Sequence, residues 1–219
     1  MISLVDQTNL FTSIAKRLDK KITIYAIGGT ALMFLGLKAN SLDIDLIFTN
    51  DKDRQAFKKA AESLGYGEMD AKVVYGDRSN KPILIKLDDA RIDLFLLKVI
   101  TSTFSKQMQK RSEDTIRQFN DNLIIKIADI HDLIIMKAVT GREKDELDIL
   151  NIINNSKINW DLIINEAENQ VNLGSERAIL ELRTTFENLT NKNKVVIPEY
   201  VLDKLWNLLN KQIDKNAKK

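Results

Sequence analysis

The stretch Leu42–Phe48, Leu-Asp-Ile-Asp-Leu-Ile-Phe, constrains this chain more than any other. Its apolar, β-branched texture predicts a strand. Residues i and i+2 of a strand share a face, so Asp43 and Asp45 project together while Ile44, Leu46 and Phe48 point into a core. Two carboxylates side by side repel and are costly to desolvate, so something must compensate for them. Side chains roughly 7 Å apart on one strand face can both reach one divalent cation. They can also bridge two cations lying about 3.5–4 Å apart. A third carboxylate, Asp93, sits in comparable surroundings in Arg-Ile-Asp-Leu-Phe-Leu-Leu. If that strand pairs beside residues 42–48, three carboxylates converge at one sheet edge. The plainer alternative is a solvated strand face that carries aspartates, which the depletion of Asp in strands disfavours. With no cysteine and one histidine in the chain, oxygen-only ligands favour Mg²⁺ or Mn²⁺ over zinc.

Upstream, Lys-Ile-Thr-Ile-Tyr-Ala-Ile predicts a strand that Gly28-Gly29 ends, and Thr30–Leu37 a short helix. Glycine lets backbone approach a ligand closely and adopt φ > 0. The first N–H groups of the helix would face an anion, with the Thr30 hydroxyl as a further donor. Neither a P-loop nor a G-x-G-x-x-G fingerprint is present. A Gly-Gly pair alone is most often only a turn. Joined to the carboxylate pair, it forms a phosphate clamp facing a metal site, which phosphoryl or nucleotidyl transfer requires.

Ile27–Leu46 resembles the signature of the DNA polymerase β–like nucleotidyltransferase superfamily: Gly-Gly, a short helix, then Asp-hydrophobic-Asp. Arg91–Phe95 is similar to that superfamily's third-aspartate strand. More narrowly, the chain resembles prokaryotic nucleotidyltransferases of unassigned substrate related to abortive-infection type IV toxins. The element carrying that likeness is Leu133–Leu150, with Lys137, Arg142 and the Lys-Asp-x-x-Asp run of Lys144, Asp145 and Asp148. The resemblance implies that Asp43 and Asp45 hold two Mg²⁺ or Mn²⁺ ions, and that Asp93 shares one and orients or deprotonates the attacking hydroxyl. Gly28, Gly29 and Thr30 would hold the β- and γ-phosphates, and Lys137 would touch the nucleotide. Ser41 stands where relatives often carry threonine and keeps the hydroxyl. A partner of toxin–antitoxin type also follows from the resemblance.

The remaining candidates are weaker. Lys137 lies on an apolar helical stripe and needs an anion or a route to solvent by snorkelling. Residues 130–153 read as one helix, and continued through Gly141 it would bring Lys137, Lys144 and Asp148 to one side. Asp145 or Asp148 would then order Lys137 or touch the nucleotide, and Arg142 would support them. Arg111, in a polar segment expected to be helical over 104–119, reads as a solvated face before it reads as a phosphate contact. His131 has no partner visible in sequence, and Trp160 and Trp206 read as core.

The expected architecture is mixed α/β. A nucleotidyltransferase head spans 1–100, with strands including Lys72–Tyr75, Ile83–Leu87 and Arg91–Leu97. A connecting segment covers 101–128, with a strand at 123–128. A helical region covers 129–219, with further helices at 159–171, 176–190 and 198–215. A formal net charge of +2 excludes wholesale coating of nucleic acid. No apolar run approaches the ~18–20 residues of a membrane span, and no signal peptide is visible. A cytoplasmic protein is therefore expected. Two functions fit. One is an enzyme moving a nucleoside monophosphate from an NTP to a hydroxyl of RNA, protein or a small molecule. The other is a non-catalytic module of the same fold that binds a nucleotide or a partner.

Overall fold

A computed structural model describes residues 1–192 and 195–217, with side chains through residue 214. The terminal Lys-Asn-Ala-Lys-Lys, whose composition predicts a frayed, solvated end, lies outside the described side chains. The chain forms two compact units, Met1–Asp129 and Ile130–Lys219.

The first unit is built on a mixed sheet. Its elements are β1 (Ile2–Ser3), α1 (Leu4–Ala15), β2 (Ile22–Ala26), α2 (Gly28–Phe34), β3 (Asn40–Ser41), β4 (Asp43–Phe48), α3 (Asp51–Glu62) and β5 (Gly67–Met69). There follow α4 (Lys72–Tyr75), β6 (Ile83–Leu87), β7 (Ala90–Leu96), β8 (Lys98–Val99), β9 (Ser102–Thr103), α5 (Lys106–Arg111), β10 (Ile116–Phe119) and β11 (Leu123–Ile127). The sheet order is β10-β11-β2-β4-β7-β6-β5. Strand β4 runs antiparallel to β2 and parallel to β7, so it lies inside the sheet with neighbours on both sides. Ile44, Leu46 and Phe48 are fully buried on one face of β4, as the alternation in Leu42–Phe48 requires. Helix α1 opens with a capping box in which Ser3 and Asp6 satisfy each other's backbone N–H. It buries Phe11, Ile14 and Ala15.

Two local expectations in this unit are corrected. Lys72–Tyr75 is a single helical turn, not a strand. The Asp70 carboxylate accepts the Lys72 N–H at 2.8 Å, and Gly76 closes the turn with φ +59°. These caps override the strand preference of Val73 and Val74, which are both exposed. Residues 104–119 are not one helix. Ser105 caps α5 by accepting the Met108 N–H at 3.1 Å, a 3₁₀ turn spans Ser112–Asp114, and Ile116–Phe119 becomes strand β10 against β11. The segment 101–128 thus adds strands to the sheet, and β11 pairs in parallel with β2.

The second unit is helical: α6 (Ile130–Ala138), α7 (Glu143–Asn155), α8 (Trp160–Asn172), α9 (Ala178–Asn191) and α10 (Glu199–Ala217). The helix expected over 130–153 is broken at Gly141, which adopts φ +63°. His131 Nε2 accepts the Asn159 N–H at 2.8 Å and pins the turn ahead of α8. Trp160 packs edge-on to Phe186, with ring centroids 5.7 Å apart. Trp206, expected in the core, is 47% exposed, and the Arg183 guanidinium lies over its ring at 4.6 Å.

Candidate active site

The parallel register of β4 and β7 decides the geometry of the site. Asp45 stands directly opposite Asp93, and Asp43 opposite Arg91. All four side chains therefore share one sheet face. Carboxylate oxygens of Asp43, Asp45 and Asp93 lie within 4.8 Å of one another, so a strand pairing has brought together residues 48 to 50 positions apart. That spacing and an all-oxygen donor set suit a hard divalent cation.

The Gly-Gly turn holds Asp45 from the other side. Ile27 N–H donates to the Asp45 carbonyl at 3.2 Å, and the Asp45 N–H donates to Thr30 Oγ1 at 2.9 Å. Thr30 is fully buried, so its hydroxyl oxygen ties α2 to β4, a use the sequence reading did not foresee. Both glycines have a packing reason. A Cβ on Gly28 would stand 2.4 Å from Asp45 Oδ2, and Gly28 adopts φ +56°. A Cβ on Gly29 would stand 2.4 Å from Ser41 Oγ. Ser41 in turn donates to Asp43 Oδ1 at 3.4 Å, a long contact. The backbone of the Gly-Gly turn thus lies against the acidic cluster with no side chain between them.

Two residues that sequence reasoning missed complete the cluster. Arg91 Nε donates to Asp93 Oδ1 at 2.8 Å, and its Nη2 donates to Asp43 Oδ2. The Tyr75 hydroxyl donates to Asp93 Oδ2 at 2.5 Å. Arg91 was legible, because it precedes Asp93 by two residues on one strand, the spacing that paired Asp43 with Asp45. Tyr75 carried no signal once Lys72–Tyr75 was read as a strand.

Arg91 thus sets one guanidinium between two of the three carboxylates, Asp43 and Asp93. Burial pushes Asp93 up to about 6, against the Tyr75 hydrogen bond and the Arg91 charge, which pull it down. Burial and then the charges of Asp93 and Asp45 drive the Tyr75 phenol far above its ordinary value, so it remains a donor. Burial alone would lower Arg91, but Asp93 and Asp43 hold its guanidinium charged.

In the second unit, Lys137 is buried. Its Nζ donates to Asp145 Oδ1 at 2.9 Å and to Asp148 Oδ2 at 2.6 Å. Asp145 Oδ2 also accepts from Thr140 Oγ1 and Arg142 Nε, each at 2.6 Å. The break at Gly141 makes this possible, because α7 turns Asp145 inward. Lys144, expected beside Lys137, is exposed. Arg111 stands in the last turn of α5.

The sheet thus bears Asp-x-Asp on β4 and a third aspartate beside it on the parallel neighbour β7. The chain belongs to the family described as nucleotidyltransferase of unknown function (DUF6036), whose model matches residues 2–194. Among solved structures, the solution structure of the antibiotic-resistance factor ANT(2'')-Ia aligns at 15% identity and a TM-score of 0.44, covering 87% of this chain and 96% of that one. The crystal structure of ANT(2'')-Ia in complex with adenylyl-2''-tobramycin aligns at 16% identity and a TM-score of 0.42, covering 83% of this chain and 98% of that one. No curated protein matches the chain. Among the described residues, no helix is long and apolar enough to cross a membrane.

Proposed function

We propose that the chain transfers a nucleoside monophosphate from an NTP to a hydroxyl of RNA, protein or a small molecule, in a reaction dependent on Mg²⁺ or Mn²⁺. One observation carries the proposal: the β4–β7 register gathers three carboxylates, with oxygens within 4.8 Å of one another, beside the bare backbone of Gly28. Asp43, Asp45 and Asp93 would hold divalent cations, whose charge would neutralise the nucleotide phosphates and ease departure of pyrophosphate. The backbone of Gly28 and Gly29 offers N–H groups to phosphate oxygens without steric obstruction. Thr30 and Ile27 fix the main chain of Asp45. Asp93, whose Oδ2 accepts a hydroxyl at 2.5 Å, is placed to receive the proton of an attacking hydroxyl.

Label transfer tests this. Purified protein is incubated with each α-³²P-NTP, Mg²⁺ or Mn²⁺, total RNA and a cell extract, with Asp43→Asn/Asp45→Asn as the control. Label on RNA, protein or a small molecule with the wild-type chain alone is the expected result. A specific observation favours the second reading, a nucleotide- or partner-binding module: Arg91 already supplies an internal cation between Asp43 and Asp93. Nucleotide binding that persists with no transfer of any label would establish that module instead.

A further inference from the structure

Tyr75 is not explained by packing alone. None of the four residues of α4 is buried, and Val73 is 76% exposed. The ring of Tyr75 meets Phe95 edge-on at 6.1 Å, and Phe95 follows Asp93 by two residues on the same face of β7. Its hydroxyl therefore reaches along the acidic face and ends on Asp93 Oδ2 at 2.5 Å. That is hydrogen-bond reach between a hydroxyl and a carboxylate, the geometry demanded of an acceptor and its general base. Arg91 occupies the other oxygen of Asp93. The two oxygens are thus divided between a cation and a hydroxyl.

We propose that Tyr75 is an internal acceptor, a self-modification site whose hydroxyl stands where an external acceptor's hydroxyl would bind. This rests on nucleotidyl transfer at the same site. With an NTP and a divalent cation bound, the Tyr75 oxygen forms a bond to the α-phosphorus as the α–β phosphoanhydride bond breaks. Pyrophosphate leaves with the bonding electron pair, and the phenolic proton passes to Asp93 Oδ2. The product is a phosphodiester between Tyr75 and the nucleoside monophosphate. A helical turn with no buried residue opens at little cost, so the modified side chain can swing away and an external acceptor can take its place.

The experiment uses the full chain. It is incubated with α-³²P-NTPs and Mg²⁺ or Mn²⁺ and no other acceptor, and the label is mapped by digestion and mass spectrometry. Intact mass of the chain as purified gives a second readout that needs no added nucleotide. The expected result is one nucleoside monophosphate on the peptide Val73–Arg78, formed at a rate per chain that does not depend on chain concentration, and lost in Tyr75→Phe. Mapping on the wild-type chain keeps the test independent of how that variant folds. Equilibrium binding of Mg²⁺–NTP is measured alongside. Binding that depends on Asp43 and Asp45, with no label or with label elsewhere on the chain, would overturn the inference and leave the proposed activity standing. Absence of such binding would overturn both.

Discussion

Gly28→Ala separates two costs that the structure places at one atom. The first is conformational. Gly28 adopts φ +56°, and a left-handed backbone costs an alanine about 1–2 kcal/mol. The second is steric. The new Cβ would stand 2.4 Å from Asp45 Oδ2 and 3.2 Å from its Cγ, and overpacking of this kind costs about 1–3 kcal/mol. The single variant should therefore lose about 2–5 kcal/mol. Asp45→Ala removes both clashing atoms but leaves the backbone conformation unchanged. In that background Gly28→Ala should cost only about 1–2 kcal/mol. The double-mutant cycle, read by urea unfolding with far-ultraviolet circular dichroism, should give a coupling of about 1–3 kcal/mol. Costs that add to within about 0.5 kcal/mol would refute the contact between the Gly-Gly turn and the carboxylate.

Arg91→Met should destabilise the chain by about 3 kcal/mol, the lower end for breaking a buried ion pair, because Arg91 and Asp43 retain partial exposure. Millimolar Mn²⁺ should raise the melting temperature of this variant more than that of wild type, and an equal rise in both would count against charge compensation by Arg91. The ion pair of Lys137 fixes a pH profile for the second unit. Burial would raise Asp145, but Lys137 and the Thr140 hydrogen bond hold it below its ordinary 3.8. Its contribution is full above that value and lost as pH falls through the depressed native value. Lys137 is held above its ordinary 10.5 by Asp145 and Asp148 despite its burial, so its contribution is full below 10.5 and lost only at higher pH. Thermal melts followed by the fluorescence of Trp160 and Trp206 should be flat between these limits and fall on the acid side, and Asp145→Asn should flatten the acid limb. His131→Ala should cost about 1–2 kcal/mol by stripping the Asn159 N–H of its acceptor, read in the same melts.

The elements that position the site were legible because they obey short-range rules. Alternation placed Asp43 and Asp45 together and buried Ile44, Leu46 and Phe48, and Gly28-Gly29 marked the strand-to-helix turn. The same i, i+2 rule applied to Arg91 and Asp93 would have found the internal cation. What stayed hidden depended on pairings between distant residues. The register that sets Asp45 against Asp93 follows from the whole sheet, and no local pattern specifies it. Tyr75 was lost because two valines outweighed the caps at Asp70 and Gly76. Thr30 was expected as a hydroxyl donor to phosphate, and its oxygen also accepts the Asp45 amide, a tertiary bond no spacing reveals. Apolar periodicity continues on both sides of Gly141 and favoured one unbroken helix there, yet the break at Gly141 turns Asp145 toward Lys137.

The central claim is that Asp43, Asp45 and Asp93 form a divalent-cation site that serves a nucleotide. The most direct measurement is a titration of Mn²⁺ into the chain, read by electron paramagnetic resonance, with and without a non-hydrolysable NTP analogue. The prediction is Mn²⁺ binding that tightens when the analogue is present and is lost in Asp43→Asn/Asp45→Asn. Mn²⁺ binding that is indifferent to the analogue, or unchanged in that variant, would contradict it.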